Sequence, residues 1–441
     1  MDPNLSSAAF LAFVTAIAVY VGRVWFKRWF NPLSLYSAIW GFCLFNYELR
    51  LIQYYPISMI AWFYIAVAWL ALYLGAAAVF FMTLRPKQPS TVQLPINLVT
   101  LKRAILILSM IGGVGVIAQV ISVSREFGGP VQAILLNSSD IYNARTSNEI
   151  SGLPYVGSFS FAACALAGVY VGKIGKFTFV SLFPVVLVAV QLAFAMGRTG
   201  LGIAAVLFFV CAAYTPRDVR IATVRWKRIA GVVTIAAVLV GTFAFVSSYR
   251  GLGVDYPGIT PALDRISEYV PMAPSLYSNF SGTPVAFSMY LSSPRERSVG
   301  FWGMYTFGPI FRFLSKLGFP TSIPPYEEDY WTPFPVNTST YLKNVHSDFG
   351  PAGILIFPFI LGAAATALNL RTRTKPRLLH LVLLANLYVL VIFSFSYNFM
   401  LSGDWYIGTV ASVVAALVIE QAGALSQNRQ IPQVVRLSER G

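Results

Sequence analysis

Residues 57–83 read ISMIAWFYIAVAWLALYLGAAAVFFMT. The run carries no charged side chain, and a helix needs only about 20 apolar residues to cross the hydrocarbon core of a bilayer. Comparable runs recur near 6–25, 33–51, 102–124, 152–172, 177–196, 199–215, 228–248, 350–369, 379–400 and 405–423. The run at 33–51 is the most polar of them, with Asn46 and Glu48 near one end. A membrane barrel would show segments of about ten residues with alternating polarity. Unbroken apolar runs of twice that length specify helices, because only a helix satisfies its own backbone in lipid.

Composition agrees. The chain has 441 residues, 56% of them hydrophobic and only 11% charged, where a soluble domain carries roughly 25% charged residues. The formal charge of +15 does not indicate nucleic acid, because the basic residues sit in short blocks between apolar spans, as orientation in a membrane requires. One set of connections holds Arg23, Lys27 and Arg28, then Arg85 to Arg103, Lys173 and Lys176, Arg217 to Arg228, Arg371 to Arg377, and the tail. These account for 21 of the 32 basic residues, against the acids Asp218, Glu420 and Glu439. The alternate connections hold 14 of the 17 acids. Basic loops face the cytoplasm, so the N-terminus is expected outside and the C-terminal tail, 424–441, inside. The first span has no basic segment before it and no A-x-A-like site after it, and is read as a retained helix. Cys43, Cys164 and Cys211 all lie in apolar runs and are expected as buried thiols.

The expected organisation is one polytopic membrane domain over 1–441 with two long outer segments. The smaller, 125–151, carries Gly-Gly-Pro at 128–130 and a polar run from Asn137 to Glu149. The larger, 249–349, is rich in Pro, Tyr, Phe and Trp. Loops of that length have structure of their own, and short helices are expected at 261–270, 284–292 and 306–317. No internal repeat is visible, which weighs against a transporter built from two related halves.

Ionisable groups near membrane depth are costly and invite a functional reading. Arg198 lies in Gly197-Arg198-Thr199-Gly200, a tight outward turn, and Arg250 ends a span in Tyr249-Arg250-Gly251. Arg145 sits in the smaller outer segment, and Arg265 follows Asp264 on an expected loop helix. A guanidinium fork matches phosphate oxygens and keeps its charge. An arginine at a helix end also snorkels to headgroups or pairs with a carboxylate, and both readings stand. Of the two histidines, His380 starts a span on the basic side. His346 is near the mouth of the bundle, two residues from Asp348. A neutral imidazole accepts a proton from a hydroxyl nucleophile. One such His builds no zinc site, and no carboxylate cluster forms a cage, so no metal or other cofactor is expected. No phosphate-binding loop or nucleotide fingerprint appears, so the substrate of an enzyme built this way arrives already activated.

The stretch Asn337-Thr-Ser-Thr340-Tyr341-Leu-Lys343-Asn-Val-His346-Ser-Asp348-Phe349-Gly350, followed by Pro-Ala-Gly353, resembles the end of the large periplasmic loop in bacterial oligosaccharide repeat-unit polymerases, the O-antigen polymerase (Wzy) family. Upstream, Gly300-Phe-Trp-Gly303-Met-Tyr305-Thr306-Phe307 resembles that family's glycine and aromatic stretch. Gly197-Arg198-Thr199-Gly200 and Arg250 stand where it places arginines. The related O-antigen ligases carry a His-Asn pair that this chain lacks, since His346 follows Asn337.

The resemblance implies an all-α integral membrane protein of the bacterial inner membrane, a GT-C-like bundle of about 11 transmembrane helices with one large structured periplasmic loop. It implies metal-independent glycosyl transfer between two oligosaccharides on undecaprenyl pyrophosphate, one donor and one acceptor, with a chain-length regulator protein as a compatible partner. Arg198 and Arg250 would stabilise the leaving pyrophosphate, and His346 or Asp348 would take the acceptor proton. Arg145, Tyr249, Arg265, Asn337, Thr340, Tyr341 and Lys343 would bind substrate. A ligase-like glycosyltransferase and a transporter or flippase of the lipid-linked oligosaccharide are the competing readings.

Overall fold

The computed structural model describes residues 4–83, 94, 96–130, 132, 137, 140–141, 144, 153, 155–195, 199–216, 256–293, 302–319, 330–336 and 338–438. The protein is an all-α, multi-pass membrane protein. Six described helices are long and apolar enough to cross a membrane. Their outward faces are apolar: α1 (Leu5–Phe26) exposes Phe10, Phe13, Ile17, Tyr20 and Val24 along one side. Water would not tolerate such a stripe, whereas lipid does. The span expected at 228–248 lies outside the described residues; each of the other ten coincides with a helix.

The chain groups into two compact units. The first comprises 1–86, 251–369 and 387–403. It opens with α1 packed on α2 (Pro32–Leu49) through a short turn. Asn31 caps α2 by accepting from the Ser34 N–H at 2.9 Å, with Pro32 at the first helical position, where its missing N–H costs nothing. The polar end of α2 stays helical because the Asn46 amide donates to the carbonyl of Phe42, one turn back. Helix α3 (Met59–Met82) follows.

The second unit comprises 87–250, 370–386 and 404–441. It contains α4 (Leu98–Glu126), α5 (Phe159–Ile174), α6 (Phe179–Ala195) and α7 (Thr199–Tyr214). Helix α5 packs on all three others. Its Ala- and Gly-rich sequence admits neighbours on every side, and 78% of its spanning window is buried, against 11% for α1. Cys164 and Cys211 are buried free thiols here, as Cys43 is in the first unit.

The first unit continues with α8 (Pro261–Tyr269), α9 (Ala273–Ser292) and α10 (Gly308–Lys316). A two-stranded antiparallel ribbon, β1 (Tyr330–Trp331) and β2 (Pro335–Val336), follows them. The 284–292 helix expected from sequence is longer, starting at Ala273 with Pro284 inside it. Proline usually ends a helix. Here α9 is held from outside: the Tyr277 hydroxyl accepts from Leu51 N at 3.0 Å and donates to the Asn46 carbonyl. Next comes α11 (Tyr341–Thr374), then α12 (Leu378–Phe393) and α13 (Gly403–Ser438). Within the second unit the Glu420 carboxylate pairs with Arg377 at 2.7 Å and accepts the Leu379 N–H at 3.1 Å at the start of α12. His380, on the first turn of α12, lies 3.2 Å from the Lys375 carbonyl through Nδ1.

Helix α11 is two helices joined at a kink. Gly350 has φ 60° and ψ −152°, which ends the segment 341–349, and Pro351 starts the apolar helix that follows. Only glycine adopts that backbone without strain. The apolar part crosses α3 backbone to backbone. A Cβ on Gly75 would stand 1.9 Å from the Phe359 carbonyl oxygen, and one on Gly362 would stand 2.0 Å from that of Leu72. In lipid such small-residue crossings supply the packing that the hydrophobic effect cannot.

Gly362→Ala is therefore expected to destabilise the fold by about 1–3 kcal/mol, the usual range for overpacking. Gly113→Ala, whose Cβ would meet nothing nearer than Leu187 at 3.7 Å, should be near neutral. Thermal unfolding in detergent, followed by intrinsic fluorescence, measures both, and equal midpoints would refute the close-crossing account.

Candidate functional site

The short helix before Gly350 carries a cluster of buried polar candidates. Lys343, His346 and Ser347 stand at i, i+3 and i+4, so they share a face. Asp348 points elsewhere. All four are buried, with His346 the most exposed at 9%.

Tyr290 on α9 organises that face. Its hydroxyl lies 3.1 Å from His346 Nδ1 and accepts from the Ser347 hydroxyl at 2.8 Å. The Tyr290 ring meets the imidazole edge-on at 5.7 Å, and Tyr64 of α3 covers it from another side at 5.5 Å. The imidazole is thus fixed in orientation with Nδ1 engaged. Nε2 has no hydrogen bond among the described residues and is the nitrogen left for a ligand. The Lys343 ammonium lies 4.5 Å from the centre of the Tyr330 ring on β1 and 5.9 Å from that of Tyr290. Aromatic faces attract such a cation through the ring quadrupole.

Asp348 has a different task. Its Oδ1 accepts the Tyr305 N–H at 3.0 Å and its Oδ2 accepts the Thr306 N–H at 2.5 Å. Both oxygens are committed to backbone donors, a charge-assisted arrangement that fixes the turn preceding α10. The same turn is held by Asn398, whose amide donates to the Thr306 carbonyl at 3.4 Å. Asp348 therefore anchors the loop, with one backbone donor on each oxygen.

Tyr341 is a packing residue in this structure. It is 2% exposed. Its hydroxyl pairs with that of Tyr36 at 3.2 Å, and its ring meets Trp40 and Phe357. The Trp40 indole donates to the Ser394 hydroxyl at 2.8 Å, and Tyr341 N donates to the Ser394 carbonyl at 3.0 Å. Just ahead, the hydroxyls of Ser339 and Thr340 are buried with no hydrogen-bond partner among the described residues. A buried hydroxyl in that state normally meets bound water or ligand.

Among the sequence candidates, the structure brings Lys343 and His346 together around Tyr290, while Asp348 on the same segment turns to Tyr305 and Thr306. Arg265 is exposed on α8. Arg145, Arg198, Tyr249, Arg250 and Asn337 lie outside the described residues. Sequence reasoning missed Tyr290 and Ser347. Ser347 sits between two named candidates, but Tyr290 is 56 residues from His346 and no spacing rule links them. Among the described residues no group of three His, Cys, Asp or Glu side chains could hold a metal ion. Comparison of the chain with protein families, with curated proteins and with solved structures returns no match.

Removing the anchoring carboxylate should free the turn it holds. Asp348→Ala leaves two buried backbone N–H groups without acceptors, at about 1–3 kcal/mol each. Hydrogen–deuterium exchange of the peptide spanning 302–310 should accelerate in the variant, while exchange in α5 stays unchanged. Identical exchange at 302–310 would show that the turn is held by something else.

Proposed function

We propose that the protein polymerises oligosaccharide repeat units carried on undecaprenyl pyrophosphate. In this reading it lies in the bacterial inner membrane with about eleven spans, its N-terminus periplasmic and its C-terminus cytoplasmic. Residues 249–349 form the large periplasmic loop. The observation that carries the proposal is the joint at Asp348. The two stretches that resemble the polymerase family, 300–310 and 337–353, are far apart in sequence. They meet where the Asp348 carboxylate takes the N–H groups of Tyr305 and Thr306. A buried lysine and an oriented imidazole lie on the adjoining helix, and the hydroxyls of Ser339 and Thr340, without a partner among the described residues, stand just before it. A sugar substrate needs such polar groups at a membrane boundary.

The reaction joins an acceptor sugar hydroxyl to the anomeric carbon of the donor chain. The new C–O bond forms as the bond to the pyrophosphate oxygen breaks, and pyrophosphate leaves on its lipid. Two demands follow: cations for the departing charge and a base for the hydroxyl proton. Arg198 and Arg250 are assigned the first by the resemblance, with Lys343 close to the imidazole as a further cation. His346 is assigned the second through Nε2, because Tyr290 engages Nδ1. Asp348, with both oxygens occupied, is assigned positioning.

Purified protein with lipid-linked repeat units tests this. His346→Ala should lower turnover by roughly 10²–10⁴, the usual worth of a general base, with donor binding intact. Rescue by excess substrate would instead make His346 a sugar-binding residue. Arg198→Ala and Arg250→Ala should each abolish the polymer ladder while the protein still inserts. Lysine should restore little at either position, since the bidentate fork is lost. A wild-type ladder from either alanine variant would remove that arginine from the mechanism. Transfer to a non-lipid-linked acceptor with no ladder from wild-type protein would favour a ligase.

A further inference from the structure

Helix α10 presents an apolar and a cationic surface that the rest of the fold leaves uncovered. Its sequence is Gly308-Pro-Ile-Phe-Arg-Phe-Leu-Ser-Lys316, with Pro309 in the first turn, and Gly318 at φ 89° just beyond its end. Ile310, Phe313 and Leu317 stand at i, i+3 and i+7, on one side of a helix. They are 44%, 61% and 60% exposed. Arg312 and Lys316 are also exposed and lie together on one flank of that apolar strip. The helix has no acidic residue. The exposed arc is thus half apolar and half cationic, the pattern of a helix lying in a membrane interface. Trp302, 80% exposed, sits on the turn that leads into it, and indole rings prefer the headgroup level.

The depth of the helix is given independently by what holds its base. Gly308 packs against Leu401, since a Cβ there would lie 3.2 Å from a Leu401 methyl group. Thr306 is bonded to Asn398 and Asp348. Residues 398–401 belong to the short connection between the apolar helices α12 and α13. Asp348 lies just before the Gly350–Pro351 break at which the apolar part of α11 begins. All three anchor points are ends of apolar helices, and the end of an apolar helix is the boundary of the hydrocarbon.

We infer that α10 lies along the bilayer surface, with Ile310, Phe313 and Leu317 among the acyl chains and Arg312 and Lys316 at lipid phosphate groups. The occupant is the bilayer itself, because the flanking charge is complementary to phosphate and the helix is held where spans end. The inference does not depend on the proposed polymerase activity. It adds a purpose to the placement, since a site resting on the same turn would be held at the level at which a lipid-borne substrate presents its headgroup.

The test uses full-length protein in nanodiscs, with an environment-sensitive fluorophore on Phe313→Cys and, separately, on Leu317→Cys. The three native cysteines are buried, and unsubstituted protein reports any background labelling. Lipids bearing a spin label high on the acyl chain should quench both positions at least about twofold more strongly than aqueous iodide does, as burial just below the headgroups requires. A probe on Arg312→Cys should respond most to a headgroup-attached quencher. Quenching of Phe313→Cys and Leu317→Cys by iodide but not by lipid would place α10 in water and overturn the inference. Shielding from both quenchers would also overturn it, in favour of a second copy or another protein on this face. Should one variant fail to insert, the other decides.

Discussion

Hydrocarbon offers no partner to a peptide N–H or C=O, so every backbone group inside a bilayer must be satisfied within its own segment. That constraint explains why the apolar runs are helices and why polar side chains within them bond to backbone. The Thr215 hydroxyl reaches the Cys211 carbonyl at 2.6 Å and the Asn386 amide reaches that of Val382 at 2.9 Å, each one turn back. It also explains the glycines. Lipid is as apolar as leucine, so helices gain little from burying large side chains against one another. They associate where small residues let backbones touch, as Gly75 and Gly362 do between α3 and α11, and as Gly168 does against Phe208 between α5 and α7.

The same constraint confines irregular backbone to helix ends, and the candidate site is built at such an end. Gly350 and Pro351 divide a polar helix from an apolar one. Above the break, backbone donors in the 303–306 turn need acceptors, and Asp348 supplies two. One carboxylate therefore joins the re-entry of the chain to the turn that leads into α10. Lys343, His346 and Ser347 fall on another face of the same short helix, where Tyr290, Tyr330 and Tyr64 enclose them. The candidate site and a structural joint thus share the segment 341–349 without sharing a face.

Several features of this site were legible in the chain. The Asp-Phe-Gly-Pro run marks the break because glycine before proline permits a backbone that other residues avoid. His346 stood out as a lone imidazole between polar neighbours. Other features were not legible, because they depend on contacts between distant segments. Tyr341 looked available for stacking on a sugar, yet Tyr36, Trp40 and Phe357 enclose it. That both oxygens of Asp348 take backbone donors from a turn more than 40 residues earlier is likewise visible only in the fold. Tyr290 carried no signal at all. It lies on α9, a helix expected from sequence at 284–292 because Pro284 reads locally as a boundary, whereas the helix runs through it from Ala273.

The sequence by itself determined that the chain spans a membrane as helices, and where most of those helices run, because hydropathy and length are local properties that lipid reads directly. It also placed α8 and α10 to within a few residues. The tertiary structure alone decided which polar residues meet. It set Tyr290 beside His346, gave Asp348 to Tyr305 and Thr306, and left one side of α10 uncovered at the level where apolar helices end. Those pairings join residues tens of positions apart, and no periodicity along the chain encodes the distance between segments that only packing brings together.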